Sequence, residues 1–351
     1  MTPGGAPRVL LAGWFSFANG HATAGDLMSR DVVRRWLAEA GVPYDHCTDP
    51  PFTGGLDWRT ADPAAYSHVL FVCGPFGRGE LEAAFLTRFA GCRLIGLNLS
   101  MSTPLPDWNP FDLLIERDSS RAVNADLVFA ARQELPPVVG LCLVEPHEEA
   151  PRAADAHTAL VDLLRSRGAA SVPIDTRLDV NDGNLHSPGE VEALISRMDV
   201  LATTRLHGLV MALKNDVPVL AVDAVPGGGK ITRQCTAIGW PNLVSIDRLD
   251  RASLERAFDF ALSPQARLAV QEAARRAGEM IPPIKSRLLA GIRDPAVLEA
   301  SHGARLSEVG MRNFLADLGA IGAPAADAQP PQSRSMPRTV LRRAAAFFSR
   351  N

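Results

Sequence analysis

The sequence lacks the features of several large classes of protein. It has no run of 18 apolar residues that would predict a membrane-spanning helix, and its first eight residues lack the basic start and apolar stretch of a secretory signal. Asp and Glu (39) outnumber Lys and Arg (36), which argues against a nucleic-acid partner. The five cysteines form no CxxC pair, so we expect reduced thiols, no metal site and a cytoplasmic protein.

Motifs for common cofactors and for hydrolases are also missing. The first apolar stretch is followed by GWFSFANG and not by the GxGxxG of dinucleotide-binding folds. The run PGGGKI around Lys230 lacks the first glycine and the magnesium-binding hydroxyl of a phosphate-binding loop. No GxSxG is present. We therefore expect no nicotinamide enzyme, Walker-type NTPase or α/β-hydrolase, and we predict no cofactor. The run of His147 and two glutamates has no spaced metal partner, and we interpret it as a solvated loop.

Alternating strand-like and helix-like stretches predict the fold. Apolar runs such as residues 68–73 and 138–144 have the length of buried strands, whereas residues 27–40 and 156–167 repeat apolar residues at helical spacing. With 351 residues, 46% of them hydrophobic, the chain is long enough for two domains. We predict an α/β protein of two Rossmann-like parallel-sheet domains facing a cleft, in residues 1–135 and 136–322, with no internal repeat.

The last residues have a different composition. Residues 323–338 are rich in Pro, Ala, Gln and Ser, which is typical of disorder, so we predict a flexible tail over residues 323–351. Its final part mixes arginines with Val, Leu and Phe. One interpretation is a helix that contacts a membrane surface weakly, which would make the protein peripheral. A frayed basic tail is the other, and it is the more common case.

The segment 199–223 carries the clearest chemical signal. It reads DVLATTRLHGLVMALKNDVPVLAVD, in which a predicted strand leads into Arg205, His207 and Gly208, and a helix begins at once. A guanidinium and an imidazole then lie beside a helix N-terminus, where anions are favoured. Gly208 lets another backbone or a ligand come close. A structural ion pair for Arg205 and a packing role for His207 are the alternatives, but the combination favours a functional site.

Lys230 stands out because the chain has three lysines among its 36 basic Lys and Arg residues. A lysine after three glycines, in a chain that otherwise uses arginine, suggests a point charge for an anion. Arg233 would lie one helical turn later on the same face, so both side chains could bind one anion. A solvated loop lysine is the alternative for Lys230.

The first half offers further candidates. Asp26, just before a predicted helix, is a natural N-cap, and its carboxylate could also serve as a base or as a sugar ligand. Asn19 lies in the same glycine-rich opening and is a candidate substrate-binding residue. Arg117 follows a short apolar strand as a second cationic candidate, and pairing with Asp118 or Glu116 is its alternative.

Together these segments resemble the polysaccharide pyruvyl transferase family over about residues 9–290. The resemblance rests mainly on the RLHG run at Arg205 to Gly208, followed by Val217, Pro218 and the downstream Lys230. Weaker parts are Gly25 with Asp26, the strand and glycine-rich turn at residues 71–79, and residues 117–120 with Ala125 and Asp126. Two departures are the sequence CGPFG in that turn and the long loop ANGHATAGD, which both lie in the half expected to bind the acceptor.

The resemblance implies a fold like that of GT-B glycosyltransferases and transfer of a pyruvate ketal from phosphoenolpyruvate to a sugar diol. It places the family's arginine and histidine at Arg205 and His207. A small, highly charged donor needs fixed cations, for which we assign Arg205 and Lys230, assisted by Arg117 or Arg233. Ketal formation also needs an acid and a base, for which His207 and Asp26 are the candidates.

Two other functions fit the same features. A GT-B glycosyltransferase could hold the diphosphate of a nucleotide-sugar at the cationic site. A non-catalytic protein that binds a sugar or an anion could use the same scaffold. The resemblance favours pyruvyl transfer, because the fold alone does not specify an activity. We therefore expect phosphoenolpyruvate and a sugar or glycan acceptor as partners.

Overall fold

A computed structural model describes residues 6–17, 21–148, 150–179 and 183–294. Asn19 and the tail 323–351 lie outside the described residues, and so do the predictions made for them. The chain divides into two compact units, Met1–Leu135 and Pro136–Asn351. Among the described residues, no helix is long and apolar enough to cross a membrane.

The first unit contains a five-stranded parallel sheet with two helices. Its strands are β1 (Val9–Gly13), β2 (Tyr44–His46), β3 (His68–Phe76), β4 (Arg93–Met101) and β5 (Leu113–Asp118), and its helices are α1 (Ala24–Glu39) and α2 (Glu80–Arg88). The strand order is β2-β1-β3-β4-β5. Alternate residues of the central strands pack on opposite faces, with Leu10 and Phe71 in one core layer and Leu11 and Val72 in the other. The sheet is therefore buried on both faces, as parallel sheets are.

The second unit repeats this architecture with more helices. Its strands are β6 (Val138–Cys142), β7 (Ala170–Pro173), β8 (Val200–Thr203), β9 (Val219–Asp223) and β10 (Leu243–Ser245). Its helices are α3 (Ala153–Ser166), α4 (Pro188–Ile195), α5 (Leu206–Lys214), α6 (Lys230–Ile238), α7 (Arg251–Ala261) and α8 (Pro264–Arg293). The order is β10-β9-β8-β6-β7, again all parallel. The prediction of an α/β protein with two Rossmann-like parallel sheets is confirmed.

Each sheet has the same topological switch point. Counted within its own unit, each sheet has the strand order 2-1-3-4-5. The chain therefore leaves the first strand toward one side and returns to build on the other side. In such sheets the crevice for ligands opens outside the carboxyl ends of the strands where the order reverses. That point is between β1 and β3 in the first unit and between β6 and β8 in the second.

Two local expectations differ from the structure. The strand β2 is not signalled by the sequence, because its three half-buried residues Tyr44, Asp45 and His46 carry no apolar run. Helix α1 begins three residues before the predicted residue 27, with Thr23 as its N-cap. Helices α7 and α8 are separated because Ser263 caps a new helix and Pro264 occupies its first position.

The five cysteines are free thiols, as the sequence predicts. Four of them are buried and Cys92 is half-buried. Burial raises the pKa of Cys47 to about 12, of Cys142 to about 11 and of Cys235 to about 12. These three thiols are therefore protonated at neutral pH and act as small apolar side chains.

Candidate functional site

A cavity of about 400 Å³ opens at the carboxyl edge of the second sheet. Its walls come from the segments that follow β6, β8 and β9, which places it beside the switch point. The residues that follow these strands and line the cavity include His147, Thr204, Asp223, Lys230 and Arg233. The cavity is thus built where the topology favours a ligand site.

Three basic side chains border this cavity. Lys230 is the first residue of α6, and Arg233 lies one turn later, so both side chains reach the same space, as their spacing predicts. His147 joins them from the loop after β6. Its Nδ1 lies 3.0 Å from the Glu145 carbonyl oxygen, which assigns the proton to Nδ1 and leaves Nε2 unprotonated in the neutral ring. His147 is exposed, so the predicted solvated loop is compatible with its place at the cavity wall.

Buried Asp223 shapes the cavity floor. At the end of β9, its Oδ2 accepts hydrogen bonds from the Gly229 N–H (2.7 Å) and from both the N–H (2.9 Å) and the hydroxyl (2.6 Å) of Thr232. Its Oδ1 accepts from the Val225 N–H at 3.2 Å. Burial opposes ionisation, but these hydrogen bonds outweigh it and hold the pKa of Asp223 below its usual value. Asp223 therefore fixes the triple-glycine loop that carries Lys230.

Arg205 ties together the carboxyl ends of three strands. It is the N-cap residue of α5, and its side chain is only 14% exposed. Nε donates to the Leu143 carbonyl after β6 at 2.5 Å, and Nη2 lies 3.4 Å from Oδ1 of Asp175 after β7. Arg205 does not line the cavity, although the preceding Thr204 does. The ion-pair alternative for Arg205 is therefore realised in the structure.

His207 and Gly208 lie on different sides of the first turn of α5. The side chain of His207 is exposed, and it does not line the cavity. Gly208 is buried against β6 and β8, where a Cβ would lie 2.8 Å from Thr203 Oγ1 and 2.9 Å from Cys142 Sγ. The glycine therefore allows close packing of helix on sheet, and the sheet, not a ligand, occupies the space beside it.

This close packing predicts a stability effect. Gly208→Ala is expected to lower the free energy of unfolding by about 1–3 kcal/mol, because the added methyl group pushes α5 away from the sheet. The matched control is Gly189→Ala in α4, where a Cβ has no neighbour within 4 Å. That change should be neutral or stabilise by about 0.5 kcal/mol. Urea unfolding of the three proteins measures both effects, and equal stability of the two variants would contradict the prediction.

The first unit brings Asp26 and Arg117 to a separate cavity of about 620 Å³, which Trp14 and Asp126 also line. The prediction that Asp26 is the N-cap of α1 is wrong, because Asp26 is the third helical residue. Its Oδ2 accepts from the N–H of the N-cap Thr23 at 2.7 Å and from the Thr23 hydroxyl at 2.8 Å. A threonine two residues before the glycine could have revealed this arrangement, because Thr is a preferred N-cap with an acidic partner three residues later.

Arg117 is surrounded by acceptors. Its Nε donates to Asp118 Oδ2 and its Nη1 to Asp126 Oδ2, each at 3.0 Å, and its Nη2 donates to the Ser100 hydroxyl. The predicted alternative of pairing with Asp118 is therefore present, whereas Glu116 pairs with Arg121 at 2.7 Å. Two carboxylates already balance the Arg117 charge. Arg117 lies in the first unit and Lys230 in the second, so neither cavity contains both.

Sequence reasoning missed three residues of these cavities. His147 was set aside because no spaced metal partner follows it, and Asp223 is an ordinary strand-end residue until its four hydrogen-bond donors are seen. Trp14 was missed because no motif in the sequence around it indicates a binding site. Within the described ranges, no group of three or more His, Cys, Asp or Glu residues is arranged to hold a metal ion.

Comparison with solved structures gives low similarity. The chain is 13% identical to the glycotransferase of kitacinnamycin (77% of this chain, 94% of that chain, TM-score 0.29). It is 8% identical to UDP-GlcNAc 2-epimerase of Methanocaldococcus jannaschii in complex with UDP-GlcNAc and UDP (78% of this chain, 99% of that chain, TM-score 0.29). It is 15% identical to the glycosyltransferase SnogD of Streptomyces nogalater (79% of this chain, 96% of that chain, TM-score 0.27). The fold class therefore rests on the two sheets themselves.

Sequence comparison is more specific. No curated protein matches the chain significantly. The family model described as polysaccharide pyruvyl transferase matches residues 145–224. This stretch runs from the loop of His147 through Arg205 and His207 to the end of β9, so it supplies much of the cavity wall in the second unit. The resemblance is thereby confirmed over residues 145–224, which match the polysaccharide pyruvyl transferase model.

Proposed function

We propose that the protein is a transferase that moves a pyruvate ketal from phosphoenolpyruvate to two hydroxyl groups of a sugar in a polysaccharide or glycoconjugate precursor. The observation that carries this proposal is the family match over residues 145–224, because the matched stretch includes three segments that line the basic cavity. The fold alone would not support it, since many activities share this architecture.

The donor is the ligand that suits the basic cavity. Phosphoenolpyruvate carries a phosphate and a carboxylate, and Lys230 and Arg233 offer two positive charges from one face of α6. The N–H groups of the first helical turn that Asp223 does not take, those of Lys230 and Ile231, add partial positive charge. Arg205 acts on the donor site by fixing the strand ends beside the cavity, because its guanidinium donates to the Leu143 carbonyl and pairs with Asp175.

The reaction adds one proton to carbon and one to phosphate, and it removes one proton from each of the two sugar hydroxyls. A proton added to the methylene carbon of phosphoenolpyruvate produces a methyl group and an oxocarbenium-like carbon. One sugar hydroxyl attacks this carbon, the bond to phosphate breaks, and the second hydroxyl closes the ketal ring. The two hydroxyl protons balance the proton on the methyl group and the one that leaves with phosphate. We assign the acid role to His207, as the family resemblance implies, although its exposed side chain lies outside the cavity, and the base role to Asp26.

A direct assay tests the proposal. The protein is incubated with phosphoenolpyruvate and a panel of hexose glycosides, while inorganic phosphate and the mass of the sugar are followed. We expect phosphate release together with the mass gain of a pyruvate ketal, and loss of both in His207→Gln. Release of a nucleotide from a nucleotide-sugar would instead indicate a glycosyltransferase, and saturable binding without any product would indicate a binding protein. Either result would overturn the proposal.

A further inference from the structure

The two halves of helix α8 have different surroundings. In the first half, Ala266, Val270 and Ala273 are buried, and the last two belong to a core layer of the second unit. In the second half, four large aliphatic side chains are instead mostly exposed: Ile281 (60%), Ile284 (60%), Leu288 (61%) and Ile292 (70%). The second half of the helix therefore presents apolar surface that the described residues leave uncovered.

These four side chains form one continuous surface, the α8 stripe. Successive residues of an α-helix are turned by about 100°, so the four lie within an arc of about 80° along about 17 Å of the helix. Met280, which is 45% exposed, borders the stripe on one side. Single exposed apolar residues are common on globular proteins, but an aligned row of them marks a surface that contacts a partner.

The charge beside the α8 stripe has one sign. Residues 280–293 contain three basic and no acidic residues. Residues 264–279 differ, because their acidic residues Glu272 and Glu279 pair with neighbouring arginines of the helix. Arg287 borders the stripe next to Met280, and its side chain has no ion pair with any residue that the structure describes. The apolar surface is therefore accompanied by positive charge that the described part of the chain does not neutralise.

This combination suits the surface of a bilayer that contains anionic lipids. A helix lying in the membrane plane buries aliphatic side chains below the headgroups and keeps its basic groups at the lipid phosphates. The long stems of basic side chains can follow the apolar boundary while their charges remain in water. The stretch 280–293 contains no aromatic residue, whereas aromatic residues are enriched in the cores of protein interfaces.

A second copy of the chain suits the stripe less well. Two α8 stripes packed together would bring positively charged borders next to each other, with no acidic residue of the same stretch to pair with them. Like charges facing each other across an interface oppose association. Anionic headgroups supply the missing negative charge, so charge complementarity favours the lipid surface.

We propose that the α8 stripe, with Arg287 beside it, docks the protein on the surface of membranes that contain anionic lipids. The helix lies parallel to the membrane, with the aliphatic side chains below the headgroups. The attachment is reversible, because four side chains bury far less apolar area than a spanning helix does. The tail 323–351 is a different segment, and this proposal needs neither the tail nor the transferase activity.

Vesicle flotation with the full chain tests the proposal. The vesicles contain phosphatidylcholine alone, or phosphatidylcholine and phosphatidylglycerol in equal amounts, and each set is measured at low and at high salt. We expect the protein to bind the anionic vesicles at least about tenfold more tightly than the neutral ones. High salt should weaken this binding, because it screens the attraction between basic side chains and headgroups. Absence of binding to anionic vesicles at low salt would overturn the proposal.

Substitutions in α8 locate the contact. Ile284→Ser combined with Leu288→Ser should weaken binding to anionic vesicles about tenfold or more, because it removes apolar area that the membrane buries. Arg287→Gln should weaken binding about fivefold, the share of one basic group near an anionic surface. Leu268→Ser is the matched control, because Leu268 is 67% exposed on the first half of the same helix but lies outside the stripe. Circular dichroism checks that each variant is folded.

Other occupants of the stripe predict different results. Equal vesicle binding by the wild type and the folded double variant Ile284→Ser/Leu288→Ser would contradict the proposal. Loss of binding in Phe347→Ser/Phe348→Ser, without loss in the stripe variant, would place the membrane contact in the tail instead. Light scattering of the free protein tests for a second copy, since a dimer that the stripe variant converts to a monomer would show that the stripe is a protein interface.

Discussion

Lys230→Gln is expected to lower phosphoenolpyruvate-dependent phosphate release by about a hundredfold or more, which is the range measured for single groups that stabilise developing negative charge in a transition state. The glutamine keeps most of the length of the side chain but removes its charge at the mouth of the basic cavity. Phosphate gains negative charge as its bond to carbon breaks. The loss should therefore appear in kcat as well as in KM, because the interaction strengthens along the reaction.

The chain provides an unusually clean control for this change. Its other lysines are Lys214, which pairs with Glu192 at 2.8 Å, and Lys285, which is exposed on α8. Lys285→Gln removes the same charge from the protein at a site outside the cavity and should leave kinetics unchanged. The rate of phosphate release by Arg233→Gln should fall between those of the two lysine variants, because Arg233 lines the same cavity one turn further along α6. A similar rate for Lys230→Gln and Lys285→Gln would remove Lys230 from the donor site.

Asp223→Ala should cause the largest loss of stability, about 3–5 kcal/mol, because it leaves the partners of a buried, fully hydrogen-bonded carboxylate without an acceptor. Asp223 is 1% exposed and accepts four hydrogen bonds from Val225, Gly229 and Thr232. Asp223→Asn should lose less, since its amide oxygen still accepts some of these bonds. Urea unfolding of the second unit measures the stability, and hydrogen exchange over residues 225–238 measures the loosening of the loop.

Asp247 supplies the matched control on the same loop. Its Oδ2 accepts the Gly227 N–H at 2.7 Å, but the side chain is exposed, so water can replace it. Asp247→Ala should cost about 1 kcal/mol or less. The pKa of Asp223 is lowered in the folded protein, so the ionised form stabilises the fold above about pH 5, and this stabilisation is lost as the pH falls below about 4. The difference between wild type and Asp223→Ala should shrink over that range, and a constant difference would argue against an ionised Asp223.

The fold was largely predictable because its strands are long apolar runs buried on both faces. Strands such as β3 and β9 are recognisable from their residues alone, and their alternation with helices specifies a parallel sheet. The strand β2 was missed because edge strands are short and polar, so their pairing with β1 decides their conformation. The break before α8 is marked by Ser263 and Pro264, a local cap signal.

The site was predictable where one segment carries it. Lys230 and Arg233 follow from a glycine loop and a helical spacing of three. The sequence left two roles for Gly208, approach of a ligand and close packing. Only the positions of Cys142, which is distant in sequence, and of Thr203, which lies across a turn, distinguish these roles. Likewise, His147 and Lys230 are brought together by sheet order, and the three acceptors around Arg117 come from strands β4, β5 and the loop beyond. Local sequence patterns do not predict contacts between segments that are distant in sequence.

The shared strand order has a consequence for how the chain is made. Among the described residues, every strand of the first sheet comes from before residue 136 and every strand of the second from after it. A ribosome that has released the first unit has therefore already delivered all strands of that sheet. Because translation of the second unit takes on the order of ten seconds or more, the first sheet can form before the second sheet is complete. Folding of one nascent half need not wait for the other, and this order of synthesis limits premature pairing of strands between the halves.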